Sequence, residues 1–344
     1  MKIGIITGKD DEVSLYNEIN KLVPKKYHVN GNVQTDIALC YMIKEKFVGV
    51  DVDIIRPEEI SSSRLKKNDF NIVLGYDIIN IINDDPYVKK FTGKSGIDKL
   101  DKIYRDKKNN IFPNYDFMNL LWDKKKYLKL LERNNIPISP TIFIKDNTSP
   151  KSLIKKIINK KWKDFIIKPI GGTIAYGLGI FNTNECNRNL TALTEYFNEQ
   201  NQYYSEYLVQ EKIEGFSDFG EIKSFWIDGK LSYVVNTPGA TSPNDDYVVK
   251  EIVDQKILNE CEKIGNKIIK ILPKINFKNK KTLPALIRID FACCKNNNNF
   301  THKNFFVNEI ESDIAGLYIN FPNIKYPALE ILANTYVQKA YELV

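Results

Sequence analysis

The chain has 344 residues, of which 43% are hydrophobic and 27% charged, the composition of a globular protein with two or three domains. No apolar run approaches the ~20 residues needed to cross a bilayer, so we expect no membrane partner. The net charge of +7 comes almost wholly from lysine, and the arginines form no cluster with aromatics. This argues against a nucleic-acid partner and is compatible with an anionic small substrate.

The start of the chain and its cysteines are those of an intracellular protein without disulfides. The segment MKIGIITGKDD has too few apolar residues for a signal peptide and is better explained as a first strand, so we expect a cytoplasmic protein. The cysteines form no CxxC pair and are far in sequence from both histidines. We therefore expect free thiols and no zinc site. They are Cys40, Cys186, Cys261, Cys293 and Cys294.

The first part of the chain alternates predicted strands with helices. Strands are predicted at 2–7, 50–57 and 70–77, and a helix at 33–47. This alternation indicates βαβ units and a parallel sheet, on which ligands bind beyond the carboxyl ends of the strands. Residues 7–12 and 75–77 are therefore expected at a binding edge.

From residue 92 the pattern becomes that of a polar connector, with a short helix near 97–105, and then of a mixed region. An apolar stripe predicts one helix over 121–131, and Asp228-Gly229 predicts a hairpin turn. Further strands are predicted at 138–146, 164–169, 178–181, 207–213, 222–227, 230–235, 286–294 and 304–311. Further helices are predicted after Ser149 and at 187–199, 249–272 and 326–341.

The stretch FIIKPIGGTIAYGLGIF combines a lysine at a strand end with a glycine-rich loop. Lys168 follows three apolar residues, so its ammonium is expected near a cleft. Gly171, Gly172 and Gly177 let the backbone approach a ligand, and free amides can hold phosphate oxygens. The alternative is a flexible hairpin with a solvated lysine, and the loop alone does not decide between them, since it is not a P-loop.

Two downstream strands carry acidic motifs. Alternation places Arg288 and Asp290 on one face of the first strand, and Glu309 and Glu311 on one face of the second. If the two strands pair, three carboxylates and a guanidinium converge. Carboxylates and phosphate oxygens are ligands that Mg²⁺ prefers. The alternative is an exposed charged face of a sheet.

Taken together, these motifs resemble the ATP-grasp superfamily from about Leu121 to the end of the chain. The likeness rests on Asp123-Lys124, FIIKPIGG, LVQEKIEG (208–215), GEIKSFWIDGK (220–230), RID and NEIE, in the family's order. It implies an α/β and α+β fold, in which an N-terminal parallel-sheet βαβ domain precedes a two-lobed ATP-grasp fold. The expected units are an N-terminal domain (1–95), a connector (96–120), a first lobe with the glycine loop (121–207) and a second lobe with the metal site (208–344).

The resemblance also implies roles for individual residues. Lys124 and Lys168 would contact ATP phosphates beneath the glycine loop, and Glu221 and Lys223 would form the acidic-x-basic strand. Arg288, Lys168 and Lys223 are the expected catalytic residues. Asp290, Glu309 and Glu311 would hold one or two Mg²⁺ ions, for which Mn²⁺ is the alternative cation. The hinge residues Gln210, Glu211, Lys212 and Ile213 would meet adenine, and Glu214 would meet ribose.

Two positions depart from the family pattern. The second metal strand usually reads Glu-x-Asn, whereas here it reads Glu309-x-Glu311. The acidic-x-basic strand usually carries arginine, whereas here it carries Lys223, which keeps the charge but loses the bidentate fork. Both departures bear on metal affinity and activity.

The function implied is an ADP-forming ligase that activates a small-molecule carboxylate as an acyl phosphate and joins it to an amine. The alternatives are an ATP-grasp kinase acting on a hydroxyl of a polyol phosphate and a non-catalytic ATP-binding regulatory protein. The loop TGKDDEVSL (7–15) is faintly similar to that of D-alanine–D-alanine ligases; alternatively it is a helix start capped by Asp10 or Asp11. A homodimer is what the resemblance implies.

Overall fold

Three main sheets organise the computed structural model, which describes residues 1–8, 12–74, 94–171, 177–213, 220–237, 248–293, 305–312 and 316–344. The strands are β1 (Lys2–Ile6), β2 (His28–Val29), β3 (Asn32–Val33), β4 (Asp51–Ile55), β5 (Phe70–Val73), β6 (Ile111–Phe112), β7 (Thr141–Lys145), β8 (Asp164–Pro169), β9 (Gly179–Asn182), β10 (Glu206–Glu211), β11 (Glu221–Ile227), β12 (Lys230–Thr237), β13 (Lys250–Glu251), β14 (Ile275–Phe277), β15 (Lys280–Thr282), β16 (Leu286–Cys293) and β17 (Phe305–Ser312).

The helices lie mostly between strands, as the sequence pattern predicts. They are Asn17–Leu22, Thr35–Lys46, Ser62–Leu65, Lys94–Arg105, Tyr115–Trp122, Lys124–Arg133, Pro150–Asn159, Thr183–Arg188, Thr191–Gln200, Gln255–Ile271 and Ala328–Leu343. Short 3₁₀ turns lie at Lys25–Tyr27, Pro57–Glu59 and Lys107–Asn109.

The N-terminal sheet is parallel, which confirms the predicted βαβ organisation. Its strand order is β4-β1-β5-β6, and each neighbouring pair runs in the same direction. The consecutive residues Ile5 and Ile6 of β1 face opposite sides of the sheet and are 0% and 2% exposed, as expected for a strand covered on both faces. Of the expected binding edge, 9–11 and 75–77 lie outside the described residues.

Two antiparallel sheets follow, and β10 of the first sheet crosses the boundary that was expected between residues 207 and 208. The first has the strand order β7-β10-β8-β9, with the glycine-rich loop between β8 and β9. The second has the order β13-β12-β11-β16-β17, so β16 lies between the predicted hairpin β11–β12 and the acidic strand β17. This mixed α/β and α+β architecture confirms the expected fold class.

The buried apolar side chains form two separate cores. The smaller core lies under the first antiparallel sheet and contains Leu153, Phe165 and Phe197. The larger core is continuous from the N-terminal sheet to the second antiparallel sheet, and it also takes in Tyr127 and Leu131 of the helix Lys124–Arg133. The domain bounds given above remain predictions.

Three predicted helices were wrong in their limits, and in two of these cases a side chain caps the helix that forms. The stripe over 121–131 is divided at Asp123, whose carboxylate accepts the amides of Lys125 and Lys126. The segment 187–199 is divided at Asn189 and Leu190, which lie between the two helices, and the Asn189 side chain accepts the amide of Thr191. The helix expected over 249–272 begins at Gln255, since Asp254 caps it.

The cysteines and the hydropathy of the helices agree with the sequence analysis. Cys40, Cys186 and Cys261 are free and buried, while the side chains of Cys293 and Cys294 lie outside the described residues. Within the described ranges, every helix is too short or too polar to cross a membrane.

Candidate functional site

The hairpin β16–β17 brings the predicted acidic residues together. Arg288 pairs across the ladder with Glu311, and Asp290 pairs with Glu309. One carboxylate oxygen from each of Asp290, Glu309 and Glu311 lies within 4.8 Å of the others. Since Asp290 is 1% exposed, the alternative of an exposed charged sheet face is wrong.

A β-bulge adds a residue to this site that the sequence analysis missed. The register shifts between Asp290 and Phe291, because Asn308 has no partner of its own on β16. Strict alternation would turn Asn308 away from the side chain of Glu309. Instead its amide donates to Glu221 Oε1 at 2.6 Å, and its Oδ1 accepts from Lys168 Nζ at 3.4 Å. Alternation in the sequence carries no signal of the bulge.

Asp290 is the centre of a buried ionic cluster. Its oxygens accept from Arg288 Nε at 2.8 Å, from Arg288 Nη2 at 2.9 Å and from Lys223 Nζ at 2.7 Å. Lys223 also reaches Glu221 at 2.6 Å, and Arg288 also reaches Glu311 at 2.8 Å. Lys223, which stands where the family pattern has arginine, therefore makes one contact to each of two carboxylates, Glu221 and Asp290, in place of a bidentate fork.

The protonation states follow from this pairing. Burial raises the pKa of the Asp290 carboxyl, but Arg288 and Lys223 outweigh it and hold that pKa below its ordinary value. Burial lowers the pKa of Lys223, but Asp290 and Glu221 outweigh it, so the pKa of this ammonium is raised. Both groups are therefore charged at neutral pH.

Glu311 differs from the other two carboxylates of the cluster. Burial raises its pKa to about 7, with Glu309 and Asp290 also raising it and Arg288 opposing them. Its Oε2 is buried and has no hydrogen-bond partner among the described residues. A buried carboxylate oxygen without a partner beside two other carboxylates suits a hard cation, so this site fits Mg²⁺.

Two lysines approach the carboxylates from the opposite side of the cleft. Lys124 Nζ, at the start of the helix Lys124–Arg133, lies 3.1 Å from Glu309 Oε1. Lys168, on β8, contacts Asn308, and burial lowers its pKa, with Lys124 adding to the effect and Glu309 opposing it. Burial and the charge of Asp290 raise the pKa of the Glu309 carboxyl. Lys124 and Lys168 lower it by more, so the pKa of Glu309 is below its ordinary value.

The charges of this cleft are balanced. Four cationic side chains and four carboxylates meet in the described part of it. They are Lys124, Lys168, Lys223 and Arg288, and Glu221, Asp290, Glu309 and Glu311. A cluster that neutralises itself can exchange internal ion pairs for contacts to a ligand that carries charges of both signs.

The predicted hinge comprises the end of β10 and the residues that follow it. The side chain of Gln210 is buried and donates to Thr141 Oγ1 at 3.0 Å, so this side chain is already engaged. The Glu211 carbonyl accepts from Ser139 Oγ at 2.9 Å, and the Lys212 amide donates to Asp164 O at 3.0 Å. Burial raises the pKa of the Glu211 carboxyl. Ile213 ends the described part of the hinge, and Glu214 lies outside it.

The glycine-rich loop is described only at its two ends. A Cβ on Gly171 would meet no atom within 4 Å, so this glycine faces open space. Gly177 has φ +70°, and its Cβ would lie 2.7 Å from Pro169 Cγ, so a larger residue is excluded there. Gly172 lies outside the described residues.

The N-terminal loop also reaches this region. Both carboxylate oxygens of Glu12 accept backbone amides from the segment after β17, namely those of Leu317 and Ile319. The first helix after this loop begins at Asn17, with Tyr16 as its N-cap, so the expected helix start directly after Asp10 or Asp11 is wrong. Asp10 and Asp11 themselves lie outside the described residues. Glu12 is the first residue of the Glu-Val-Ser-Leu motif, and this motif is the sequence signal that could have placed Glu12 in the site.

Comparison with known proteins identifies the fold. The sequence matches no protein-family model and no curated protein. Among solved structures, D-cycloserine synthetase DcsG superposes with a TM-score of 0.66 and 13% identity, covering 99% of this chain and 100% of that one. D-alanyl-alanine synthetase A from Vibrio cholerae superposes with a TM-score of 0.62 and 13% identity over 100% and 98%.

The third similar structure is the ATP-grasp ligase PsnB, solved with a phosphomimetic variant of the minimal precursor, Mg and ADP. Its TM-score is 0.60 at 8% identity, and 98% of each chain is covered. These likenesses span the whole chain, including the N-terminal sheet that lies before the motif match. The chain therefore has the fold of the ATP-grasp ligases.

Proposed function

We propose that this protein is an ATP-dependent ligase that activates a small-molecule carboxylate as an acyl phosphate and joins it to an amine, releasing ADP and phosphate. The observation that carries the proposal is the meeting of two lysines from one side of the cleft with the acidic hairpin from the other. The ligase neighbours support the same class of reaction.

Lys124 and Lys168 are assigned to the phosphates of ATP. Each ammonium lies within 3.4 Å of the acidic hairpin, at Glu309 and Asn308 respectively. An ATP phosphate entering between them would replace these contacts with charge-assisted bonds. Gly171, Gly172 and Gly177 would let the loop after β8 cover the phosphates and exclude water from the acyl phosphate.

Asp290, Glu309 and Glu311 are assigned to one or two Mg²⁺ ions. The unpartnered Glu311 Oε2 and the 4.8 Å grouping of oxygens are the features that fit such an ion. The bound ion would neutralise β- and γ-phosphate charge. Arg288 and Lys223 together hold the pKa of Asp290 below its ordinary value, so this ligand stays ionised.

Arg288 is assigned to the transferred phosphoryl group, whose oxygens carry negative charge that a guanidinium would stabilise during transfer. A substrate carboxylate oxygen bonds to the γ-phosphorus while the bond from that phosphorus to the oxygen of ADP breaks. The amine nitrogen then bonds to the acyl carbon, phosphate leaves with the bonding electrons, and the nitrogen loses a proton. The product is an amide, ADP and phosphate.

The hinge is assigned to the nucleoside. Glu211, Lys212 and Ile213 would meet adenine, and Glu214 would meet ribose. The Lys212 amide would take no part, since it already donates to Asp164 O. The engaged Gln210 side chain supports a structural part for that residue, since it holds β10 against β7.

The test measures ADP release with Mg-ATP against pools of amino acids, small peptides and polyol phosphates, with and without hydroxylamine. Pool-dependent ADP with a hydroxamate product is expected, because hydroxylamine traps an acyl phosphate. Asp290→Asn, prepared in parallel, controls for contaminating ATPases. ADP without hydroxamate would support the kinase alternative, and ATP binding without pool-dependent ADP would support the regulatory one.

A further inference from the structure

Tyr318 has a backbone conformation that its side chain does not favour. Its φ is +59°, in the left-handed region, which bulky aromatic residues rarely adopt. Such conformations persist where surrounding contacts hold them, and they concentrate at functional sites. The contacts around Tyr318 therefore indicate what the strained segment does.

Glu12 and Tyr233 hold this segment on both sides of Tyr318. Glu12 Oε2 accepts the Leu317 amide at 3.0 Å, and its Oε1 accepts the Ile319 amide at 3.1 Å. The Tyr233 hydroxyl donates to the Leu317 carbonyl at 2.9 Å. A carboxylate from the N-terminal part of the chain thus fixes the residues that flank Tyr318.

The fixed segment contacts the buried cations of the site. The centre of the Tyr318 ring lies 5.9 Å from the guanidinium carbon of Arg288 and 5.9 Å from Lys223 Nζ, within the range of cation–π attraction. The Gly316 carbonyl accepts from Arg288 Nη1 at 3.4 Å. The other ionic partners shown for Arg288 are Asp290 and Glu311, both candidate metal ligands.

We propose that Tyr318 is a positioning residue for Arg288 and that Glu12 holds Tyr318 in place. This rests on the proposed function, in which Asp290 and Glu311 turn to a cation and the segment 316–319 keeps the guanidinium aimed at the phosphoryl group. The N-terminal part of the chain thereby contributes to catalysis without touching the reacting atoms.

The first test observes Arg288 without any ligand. The chain has six arginines, so ¹⁵N-arginine labelling gives six Nε–H signals, and Arg288→Lys identifies one of them. Tyr318→Leu and Glu12→Gln are expected to shift the Arg288 signal, because the ring current at the guanidinium is lost or displaced. Tyr318→Phe keeps the ring and is expected to leave it near its original position. The exposed Tyr341→Leu is the matched control.

An unchanged Arg288 signal in both Tyr318→Leu and Glu12→Gln would overturn the proposal. A shift in Tyr318→Leu alone would retain the role of Tyr318 and overturn that of Glu12. These outcomes do not depend on turnover, so they decide the inference even if no pool releases ADP, which would instead refute the proposed function.

The second test separates positioning from packing in the folded enzyme. Tyr318→Leu is expected to lower kcat about tenfold, the effect of losing one desolvated cation–π contact, with the KM for ATP unchanged. Tyr318→Phe should restore most of kcat. A loss of thermal stability with unchanged kcat in Tyr318→Leu would mean that the ring only packs.

Discussion

The two sides of the cleft hold their charges in different ways. On the acidic hairpin, Asp290 accepts three bonds of 2.7 to 2.9 Å from Arg288 and Lys223, and it is 1% exposed. On the opposite side, Lys168 makes one hydrogen bond within the described part of the chain, at 3.4 Å to Asn308, and burial lowers its pKa. One side is fixed by short mutual ion pairs, while the other presents a buried ammonium that is bonded to a neutral amide at the long distance of 3.4 Å.

The difference suggests different roles for the two sides: the acidic hairpin is preorganised, whereas Lys168 is available to bind an anion. A cluster of mutually paired charges keeps its geometry without a ligand, so it can define where a metal and a transferred group lie. A buried lysine held by one long contact gains most when an anion arrives. The following variants test whether the hairpin governs the rate and the lysine governs nucleotide affinity.

The largest effect is expected from Glu309→Gln. Glu309 carries one of the three clustered carboxylates and also pairs with Lys124 across the cleft. Losing this charge should lower kcat about a thousandfold, because a metal ligand and a link between the two sides are both removed. Steady-state ADP release is the measurement, with the exposed Glu195→Gln as the control. Turnover near that of the control would contradict the metal assignment.

Lys168→Met should act on nucleotide affinity rather than on the rate. The variant keeps the apolar stem and removes the ammonium, so the KM for ATP should rise about tenfold to a hundredfold, the range for a lost bond between charged groups. The exposed Lys145→Met, in the same antiparallel sheet, is the matched control. Equal ATP affinity in the two variants would remove Lys168 from the phosphate site.

Glu311 should give the cluster a recognisable pH dependence. Its pKa is raised to about 7, so between its ordinary value and pH 7 the folded state binds more protons than the unfolded state. The contribution of Glu311 to the free energy of unfolding is therefore expected to fall by about 2 to 3 kcal/mol as pH rises from 5 to 8.

Urea unfolding without metal, at pH 5, 6, 7 and 8, measures this contribution as the difference between the natural chain and Glu311→Gln. The variant should become relatively more stable as pH rises, since amide in place of carboxylate no longer ionises. A constant difference across this range would mean that Glu311 titrates normally.

The smallest effect is expected from Asn308→Ala. Asn308 joins Lys168 to Glu221 across the cleft, so its loss should raise the KM for ATP about fivefold, corresponding to about 1 kcal/mol. The double variant with Lys168→Met tests the link. Additive effects would show that Asn308 does not act through Lys168.

The sequence predicted those parts of the site that depend on residue type and strand alternation. Arg288 and Asp290 share a face because they are two residues apart, and Glu309 pairs with Asp290 as the predicted hairpin requires. The parallel N-terminal sheet was predictable for the same reason, since its strands are short apolar runs between helical segments.

The parts that could not be predicted depend on long-range contacts or on backbone geometry. Asn308 enters the cleft through a bulge, and Glu12 binds amides some three hundred residues away in sequence. The break at Asp123 was missed because the apolar stripe continues through it, although a capping aspartate was visible in the sequence. Such contacts are decided by the assembled fold, and local periodicity does not report them.

Because of the bulge at Asn308, part of this site depends on the number of residues in β17 as well as on their identities. One extra residue in β17 turns two consecutive side chains, Asn308 and Glu309, toward the same cleft. Deletion of Asn308 would restore a regular ladder and leave Asp290, Glu309 and Glu311 present, yet the contact to Lys168 would be gone. Alignments of such strands should therefore consider single-residue insertions and deletions as carefully as residue identities.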